Sequence, residues 1–551
     1  MMRKFFLSQK TWVITLVIVI SGGLSAYKLD YFEINKQLDI FANLFREVNT
    51  YYVDETEPDE MMETAVKRML KGLDPYTTYI PENRVEDYRI QTTGKYGGIG
   101  STIRKKGDYV MIYEPYQDFP AAKAGLKPGD CLIEADGKSL KGKNTEQVSD
   151  ILKGSPGSAL ELKIKRGGEE QLITIEREEI HIKSVPYYGW LEPGIGYITL
   201  TGFTEGASEE IRDAYKALED EQELNGLVLD LRNNPGGLLS EAVNVSNLFI
   251  DKGKEVVSTR GKVKSRDRTY KTPNRPLDTE IPLVVLINGG SASASEIVSG
   301  VIQDYDRGVV MGRTSYGKGL VQETRQLSYG AQVKITVSKY YTPSGRCIQA
   351  INYAERDKDG SVTRVPDSLR NSFTTANGRL VKDGGGIDPD VEVKAPQAAQ
   401  VLYSLVGNDL IFEFVSEQLR GDQMPVQPGQ FQLSDDLYKQ FLAFLEDKDY
   451  HYETDTEKAI ELLKEVSEEE KYAALDAEIE KLKTEFAKIK GDDLSRHEAE
   501  IRQQIEEEFM GQAYYRSGRL KQIISEDSMV AEAVNHLKDK EKYNGILTAV
   551  K

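Results

Sequence analysis

The 551-residue chain is poor in the residues that carry histidine, thiol and metal chemistry. It has only four histidines, of which all but the first lie in the charged C-terminal third: His181, His451, His497 and His536. A serine, histidine and aspartate triad is therefore disfavoured, although distance along the sequence does not exclude it. The two cysteines, Cys131 and Cys347, form no metal-binding pattern. A disulfide between them lacks support, and the sequence favours two separate buried thiols.

The chain also lacks the positive charge that nucleic-acid binding needs. Its net charge is −18 and its pI is about 5.0, whereas phosphate binding requires a basic face. The segment from Gly312 to Lys318 resembles a phosphate-binding loop, but Gly319 lacks the hydroxyl that would hold Mg²⁺. No nucleic acid, nucleotide, metal or other cofactor is therefore expected.

Long uncharged runs are also scarce, and the notable one is Thr11 to Tyr27, which follows Arg3, Lys4 and Lys10. This arrangement is typical of a secretory signal, and the run is barely long enough to span a bilayer. No clear cleavage site follows, which slightly favours an uncleaved anchor. In either case the basic flank stays inside and the rest is exported. We expect a periplasmic or extracytoplasmic protein, which residues 11–27 would anchor to the inner membrane if the run is retained.

The strongest chemical signal lies between Pro282 and Gln322. An apolar, strand-like run ends at Asn288-Gly289-Gly290, small residues follow, and helical apolar spacing starts at Glu296. This pattern of strand, tight turn and helix presents a serine at a helix N-terminus, where free N–H groups and the dipole favour a developing negative charge. The alternative is that the serines from Ser291 to Ser295 serve only as tight packing or as a helix cap.

A serine nucleophile needs a base, and Lys318 is a better candidate than any histidine. It lies between two glycines, and Gln322 follows four residues later. In the extended segment expected from Leu320 to Leu327, an even offset places both side chains on one face. A lysine accepts a proton near neutral pH only when burial lowers its pKa from about 10.4 by about two to three units. Gln322 would orient the amine without adding a charge.

Two motifs together resemble the C-terminal processing (tail-specific) peptidase family. The first is Ser-Ala-Ser-Ala-Ser-Glu at 291–296, with Lys318 twenty-five residues after Ser293. The second is Asp-Leu-Arg-Asn-Asn-Pro-Gly-Gly at 230–237. The resemblance covers roughly residues 35–395. It assigns Ser293 as the nucleophile, Lys318 as the general base, Gln322 as the residue that orients the lysine, and Ala294 with either Gly236 or Gly237 as the oxyanion hole.

Residues 89–178 resemble a PDZ domain, a module that binds the C-terminal end of another chain. The segment Tyr96–Gly100 is similar to its carboxylate-binding loop, and Pro120–Asp130 matches its middle. A free edge strand beside a helix, expected at Thr145–Leu152, would bind an extended peptide by adding it to the sheet. The peptide-binding residues that this resemblance implies are Gly97, Gly98, Ile99, Gly100, Val148 and Leu152.

Strands and helices alternate from Gly196 onwards, which predicts an α/β core with both chemical motifs at strand-to-helix turns. The predicted fold class is therefore multidomain α/β. Its expected parts are a signal peptide or membrane anchor (1–29), an N-terminal helical region (30–88), a PDZ module resembling a β-sandwich (89–178), an α/β serine-protease core (179–395) and a helical C-terminal extension (396–551).

The C-terminal extension differs in composition from the rest of the chain. Helices are expected at Leu402–Leu419 and Leu437–Phe444, and Glu468–Phe509 is a charge-dense helical stretch broken near Gly491. The charge pattern favours solvated amphipathic helices. The alternative is a surface for a homo-oligomer or an adaptor, formed by the apolar stripe Leu475, Ile479, Leu482 and Phe486.

The expected function follows from these motifs and from the resemblance. It is a serine endopeptidase with a serine–lysine dyad. Through the PDZ module it would capture protein or peptide substrates by their free C-terminus, and it would cleave exported or partly unfolded proteins. The competing function is a non-catalytic PDZ scaffold with a decayed protease domain. The intact serine, lysine and glutamine argue against decay, because a scaffold has no need of a buried lysine.

Overall fold

The computed structural model describes residues 31–353, 355–356, 361–394, 398–420 and 427–548. The chain divides into two compact units, Met1–Tyr79 and Ile80–Lys551. The predicted signal or anchor at residues 11–27 lies outside the described residues. None of the helices in the described part of the chain is long and apolar enough to span a bilayer.

The first unit contains two helices, as its apolar spacing predicts. They are α1 (31–51) and α2 (Pro58–Lys71), and a short strand, β1 (Thr78–Ile80), follows. Helix α2 has Pro58 in its first turn, Asp59 and Glu60 beside it, and basic residues in its last turn. Proline is favoured in the first turn of a helix, where its missing N–H is not needed. The acidic residues lie at the positive end of the helix dipole and the basic residues at its negative end, and both placements stabilise the helix.

The second unit begins with a short 3₁₀ helix (Glu82–Arg84) and α3 (Val85–Thr93), which lead into the PDZ-like module. The module contains β2 (Lys95–Gly98), β3 (Ser101–Lys106), β4 (Tyr109–Pro115), α4 (Pro120–Lys123), β5 (Cys131–Ala135), β6 (Lys138–Ser139), α5 (Thr145–Leu152), β7 (Ala159–Arg166), β8 (Glu169–Glu176) and β9 (Glu178–His181). The main sheet has the order β3-β4-β5-β7-β8, with β6 beside β5, while β2 pairs with β9. Strand β3 is therefore an edge strand, as the proposed mode of peptide binding requires.

An α/β core follows the module. Its elements are β10 (Tyr187–Glu192), β11 (Ile195–Thr199), α6 (Ala207–Glu221), β12 (Gly226–Asp230), α7 (Leu239–Phe249), β13 (Glu255–Gly261), β14 (Arg268–Lys271), β15 (Leu283–Ile287), α8 (Ala294–Asp304), β16 (Val309–Gly312), β17 (Leu320–Gln326), β18 (Gln332–Tyr341), β19 (Ser372–Thr374), β20 (Leu380–Lys382) and β21 (Val391–Glu392), with 3₁₀ turns at Lys264–Arg266, Ser328–Gly330 and Asp367–Leu369. The central sheet has the order β10-β11-β12-β15-β16-β21, and every pairing except β10 with β11 is parallel. Strands β12 and β15 are buried along their whole length, as central strands of a parallel sheet are. A second sheet pairs β17, β18, β13 and β14 in that order.

The C-terminal extension is helical throughout its described part. Its helices are α9 (Gln400–Gly407), α10 (Leu410–Gln418), α11 (Asp435–Leu445), α12 (Asp455–Glu469), α13 (Asp476–Gly491), α14 (Asp493–Arg496), α15 (Glu498–Glu526), α16 (Ser528–Lys538) and α17 (Lys540–Ile546), with a 3₁₀ turn at Ala473–Leu475. The range Leu402–Leu419 is helical as predicted, but it divides into two helices at Asp409, where φ is 58°.

The prediction of solvated helices over Glu468–Phe509 is correct for only part of that stretch. Leu475, which immediately precedes α13, and Leu482, which lies within α13, are about half exposed, at 46% and 50%. In contrast, α15 places its first apolar residues in a hydrophobic core shared with α9, α10 and α11: Ile501, Ile505, Phe509 and Met510. These residues recur at helical spacing, which is typical of a buried helix face, but the sequence analysis gave more weight to the many charges around them.

The two faces of the central sheet are covered by different parts of the chain. Helices α6, α7 and α8 cover one face, against residues such as Leu229, Val285 and Val310. The extension covers the other face, where Met529, Val530 and Val534 of α16 pack against Val228, Leu286 and Met311. The extension is thus part of the α/β core and not an appendage to it.

Neither cysteine forms a disulfide. Cys131 and Cys347 are both free, as predicted, but both are partly exposed and not buried. Burial is nevertheless sufficient to raise the pKa of each thiol.

Candidate active site

Ser293 lies between strand β15 and helix α8, in a backbone conformation that side chains rarely adopt. Its φ is 56° and its ψ is −110°. Three contacts hold this conformation. The Ser293 N–H donates to Glu296 Oε2 at 2.7 Å, and the Ser293 carbonyl accepts from the Ile297 N–H at 2.9 Å and from the Tyr340 hydroxyl at 3.2 Å. Such strain persists only where surrounding contacts over-determine it, and it is concentrated at functional sites.

The carboxylate of Glu296 links the serine to the lysine segment. Glu296 is fully buried and accepts four hydrogen bonds. Oε2 accepts from the N–H groups of Ser293 (2.7 Å) and Lys318 (2.9 Å), and Oε1 accepts from the Gly317 N–H (2.7 Å) and the Ser315 hydroxyl (2.5 Å). Because they share one acceptor atom, the backbone nitrogens of Ser293 and Lys318 are at most about 5.6 Å apart.

Burial raises the pKa of the Glu296 carboxyl, and the four donors act in the opposite direction. Glu296 and Tyr340 were both missed as functional candidates by reasoning from the sequence. A signal for Glu296 was present, because Ser293-x-x-Glu296 is the capping-box pattern, in which the glutamate returns to the N–H of the capping residue. For Tyr340, which lies 47 residues from Ser293, no local signal exists.

Lys318 is half-buried and lies two residues before β17. The β17–β18 ladder has a bulge here, because Val321 pairs with Ser338 and Gln322 with Thr336, which leaves Val337 as the extra residue on β18. Because Lys318 precedes β17, its place on the same face as Gln322 stays a prediction. Gln322 is also half-buried, and its amide donates to the Thr336 hydroxyl on β18 at 3.2 Å. Thr336 therefore fixes the side chain that was predicted to orient the lysine.

The predicted oxyanion segment, residues 230–237, follows β12 and lies directly beside the serine. A Cβ added to Gly236 would lie 2.8 Å from the Ala294 nitrogen and 2.9 Å from Ser293 Cβ. Only a glycine allows this approach, and Gly236 also has a positive φ of 98°. The two loops are joined by the Ala292 N–H and the Ser295 hydroxyl, which both donate to the Asn234 carbonyl.

The two candidate glycines of the oxyanion hole differ in whether their N–H group already donates a hydrogen bond within the protein. The Gly236 N–H donates to Asn234 Oδ1 at 2.9 Å, and Asn234 is itself held by a bond to the Leu200 carbonyl. Neither the Gly237 N–H nor the Ala294 N–H has an acceptor among the described residues. These two N–H groups are therefore available to a ligand, whereas that of Gly236 is not.

The predicted peptide-binding residues divide into two groups. Gly97 and Gly98 belong to β2, which pairs with β9, and the Gly97 carbonyl accepts from the Gly154 N–H. Ile99 and Gly100 connect β2 to the edge strand β3, and within the described part of the chain their N–H groups have no acceptor. In the predicted loop, the N–H groups of Ile99 and Gly100 are therefore the ones that lie outside the β2–β9 pairing, and carboxylate binding by the loop stays a prediction.

The apolar residues predicted to shape the peptide pocket lie in the core of the PDZ-like module. Ile99, Val148 and Leu152 are 2%, 0% and 5% exposed. Two residues that the sequence analysis did not single out, Ile103 of β3 and Ile151 of α5, are only partly buried against the same core. They come from the two elements between which a peptide strand would bind.

Three segments of the chain match known families. Residues 194–357 match Peptidase family S41, residues 111–166 match the PDZ domain, and residues 401–537 match the C-terminal helical domain of probable PDZ-proteases. The order of these matches agrees with the predicted fold class.

Individual proteins are similar over longer stretches. A carboxy-terminal-processing protease of Bartonella bacilliformis is 39% identical over 321 residues, which are 57% of this chain and 73% of that protein. A probable CtpA-like serine protease of Staphylococcus aureus is 38% identical over 346 residues, which are 61% of this chain and 68% of that protein. Among solved structures, a photosystem II D1 C-terminal processing protease is 28% identical, with a TM-score of 0.35 over 64% of this chain and 92% of that one.

Proposed function

Because the chain belongs to peptidase family S41 and to its carboxy-terminal-processing serine proteases, we propose that Ser293 and Lys318 form the catalytic dyad that cleaves its peptide substrates. The observation that carries this proposal is the shared acceptor Glu296 Oε2, which brings the backbones of the two residues together. Ser293 also has the strained conformation and the helix N-terminus that an attacking serine uses. Intact Ser293, Lys318 and Gln322 argue against the competing function of a decayed scaffold.

In this mechanism the Ser293 hydroxyl attacks the carbonyl carbon of the scissile bond while Lys318 accepts its proton. The lysine then returns the proton to the leaving amine, and water releases the acyl group in a second round. Gln322, fixed by Thr336, orients the lysine amine without adding a charge.

For the oxyanion hole we propose the N–H groups of Gly237 and Ala294. Both lack an intramolecular acceptor in the described part of the chain, and preset donors of this kind stabilise the charge that develops on the carbonyl oxygen. Gly236 has a different role in this proposal. Its N–H is used by Asn234, and its missing side chain lets the segment approach Ser293.

The test is digestion of an unfolded reporter protein by the purified enzyme. Ser293→Ala and Lys318→Ala should each abolish cleavage without loss of fold, and the double variant should be no worse, because the two residues act as one unit. Lys318→Arg should also be inactive, since a guanidinium does not lose its proton at usable pH. Cleavage retained in Lys318→Ala, or lost only when a histidine is replaced, would contradict the dyad.

We propose further that the PDZ domain captures the substrate by its C-terminal tail. The edge strand β3, the adjacent helix α5 and the N–H groups of Ile99 and Gly100 support this mode of binding. A substrate with a free, apolar C-terminal residue should be cleaved faster than its amidated twin. Loss of charge-assisted hydrogen bonds, each worth about 1.5–3 kcal/mol, should weaken capture at least about ten-fold. Equal cleavage of the two substrates would refute tail capture and leave the dyad untouched.

The substrates that we propose are exported or partly unfolded proteins. The support is the sequence of residues 1–27, in which basic residues precede an uncharged run. Protease added to intact spheroplasts should therefore degrade the part of the chain that follows Lys28. Full protection in that experiment would show that the N-terminal run has been misinterpreted.

A further inference from the structure

Asp527 of the C-terminal extension contacts the oxyanion segment. This residue caps α16 through Oδ1, which accepts from the N–H groups of Met529 (2.8 Å) and Val530 (3.2 Å). The other oxygen, Oδ2, accepts from the Arg232 guanidinium at 2.6 Å. Arg232 is the third residue of the oxyanion segment, so the extension and the segment share an ion pair.

Arg232 is held by two carboxylates. Its Nε and one terminal nitrogen donate to Asp230, at 2.9 and 2.5 Å from Oδ2, and its other terminal nitrogen donates to Asp527. Asp230 is fixed in turn by the Tyr197 hydroxyl at 2.6 Å. The Arg232 side chain is 16% exposed. Burial opposes its charge, but the two carboxylates outweigh burial and raise the pKa of the guanidinium.

These bonds fix the start of a segment with an unusual backbone. After Arg232 the chain passes through Asn233, where φ is 56°, then Gly236 and Gly237, where φ is 98° and 152°. Asn234 fixes the middle of the segment through Leu200 and Gly236. Without Asp527, one terminal nitrogen of the part-buried Arg232 guanidinium would have only the Met529 sulfur, at 3.8 Å, as a partner. The guanidinium would then tilt, and the segment would lose one of the contacts that fix it, beside those of Asn233 with Asn288 and of Asn234 with the serine loop.

We propose that Asp527 is a positioning residue for the oxyanion hole, acting through Arg232 on the Gly237 N–H. This inference rests on the proposed function of Ser293. It gives the C-terminal extension a part in catalysis in addition to its packing on the central sheet.

The chain offers a matched control for this ion pair. Lys538 of α16 forms an ion pair with Glu192 of β10, which joins the same two parts of the protein away from the oxyanion segment. Glu192→Gln therefore removes an ion pair between the same two parts that has no contact to Arg232, although its side chains are more exposed than those of Arg232 and Asp527.

The test compares Asp527→Asn with Glu192→Gln in the full-length enzyme. Asparagine keeps the shape and capping ability of aspartate and removes the charge. In Asp527→Asn, kcat should fall about ten-fold while KM changes less than about two-fold, because the loss is confined to the transition state. Affinity for a peptide boronic acid, which forms a tetrahedral adduct on the serine, should fall by a similar factor. In Glu192→Gln both quantities should be unchanged.

A double-variant cycle tests the route through Arg232. Arg232→Gln should reproduce the kcat defect, and the double variant with Asp527→Asn should be no worse than Arg232→Gln alone. Three results would overturn the proposal: multiplied effects in the double variant, unchanged kcat and boronate affinity in Asp527→Asn whatever its melting temperature, or an equal loss in Glu192→Gln. Failure of the proposed function is distinct, because it would appear as cleavage and boronate binding retained in Ser293→Ala.

Discussion

Replacement of Glu296 by glutamine is the most demanding test of the site. The carboxylate is fully buried, and each oxygen accepts two hydrogen bonds. Glutamine has the same shape but carries an NH₂ group in place of one oxygen. With the NH₂ group in the place of Oε2, it faces the N–H groups of Ser293 and Lys318, and both bonds are lost. With the NH₂ group in the place of Oε1, the Gly317 N–H loses its acceptor, whereas the Ser315 hydroxyl can turn and accept from the NH₂ group.

The magnitude follows from these contacts. Hydrogen bonds to a charged group contribute about 1.5–3 kcal/mol each, so the loss of one or two should cost about 1.5–6 kcal/mol of the free energy of unfolding. Proteins are stable by only about 5–15 kcal/mol, so the variant should unfold below the wild-type temperature. In folded molecules whose NH₂ group takes the place of Oε2, the Ser293 and Lys318 backbones are no longer held on one atom, and in the other orientation that shared acceptor loses its charge. A displacement of about 1 Å between reacting groups lowers kcat by about 100-fold.

The assay combines thermal unfolding with kcat, measured at a temperature where the variant is still folded. Asp390→Asn is the control, because the Asp390 side chain is only 4% exposed and its carboxylate also has several donors: the Val310 N–H at 2.8 Å, the Gln303 amide at 2.8 Å and the Arg379 guanidinium. It should lose stability but keep its kcat. If Glu296→Gln kept both its stability and its kcat, the reasoning would be refuted. If it lost stability alone, Glu296 would be a structural residue only.

Three further results are expected. Tyr340→Phe removes only the hydroxyl that donates to the Ser293 carbonyl, so kcat should fall about three- to ten-fold with KM little changed, and an unchanged kcat would contradict its role. Gly237→Ala places a Cβ 2.4 Å from the Phe203 carbonyl oxygen, so it should abolish activity; wild-type cleavage would show that the segment is free to move. Burial raises the pKa of Glu507 to about 7 from an ordinary 4.5, so the stability that its proton contributes is complete below about pH 4.5 and is lost as the pH rises through about 7. Between pH 5 and 8 the wild type should therefore lose up to about 3 kcal/mol of stability that Glu507→Gln does not lose, and equal slopes would contradict this.

The sequence predicted the parts of this protein whose causes are local. Strand β15, the glycine turn and helix α8 follow from an apolar run, Asn288-Gly289-Gly290 and helical spacing, and their bounds agree closely with the prediction. Helix α5 also has its predicted bounds, because Asn144 and Gln147 form a capping box at its start. In each case a few neighbouring residues determine the conformation.

What the sequence did not reveal depends on residues far apart in the chain. The choice between Gly236 and Gly237 required the position of the Asn234 side chain, which the fold of the loop determines. The bulge at Val337 of β18, opposite Val321 and Gln322, depends on the pairing of two strands and leaves no mark in the local pattern. The ion pair between Arg232 and Asp527 joins residues 295 positions apart, so no spacing rule could indicate it.

The packing of α16 on the central sheet also determines when the enzyme becomes complete. A chain is synthesised from its N-terminus, so the strands that carry Val228, Leu286 and Met311 are made long before the helix that covers them. Until that helix arrives, one apolar face of the sheet is in contact with water, at a cost of about 25 cal/mol for each Å². The sheet therefore reaches its final packing only when the last helices join it. The last helices are therefore needed to complete the sheet that carries the candidate active site, although none of the proposed catalytic residues lies in them.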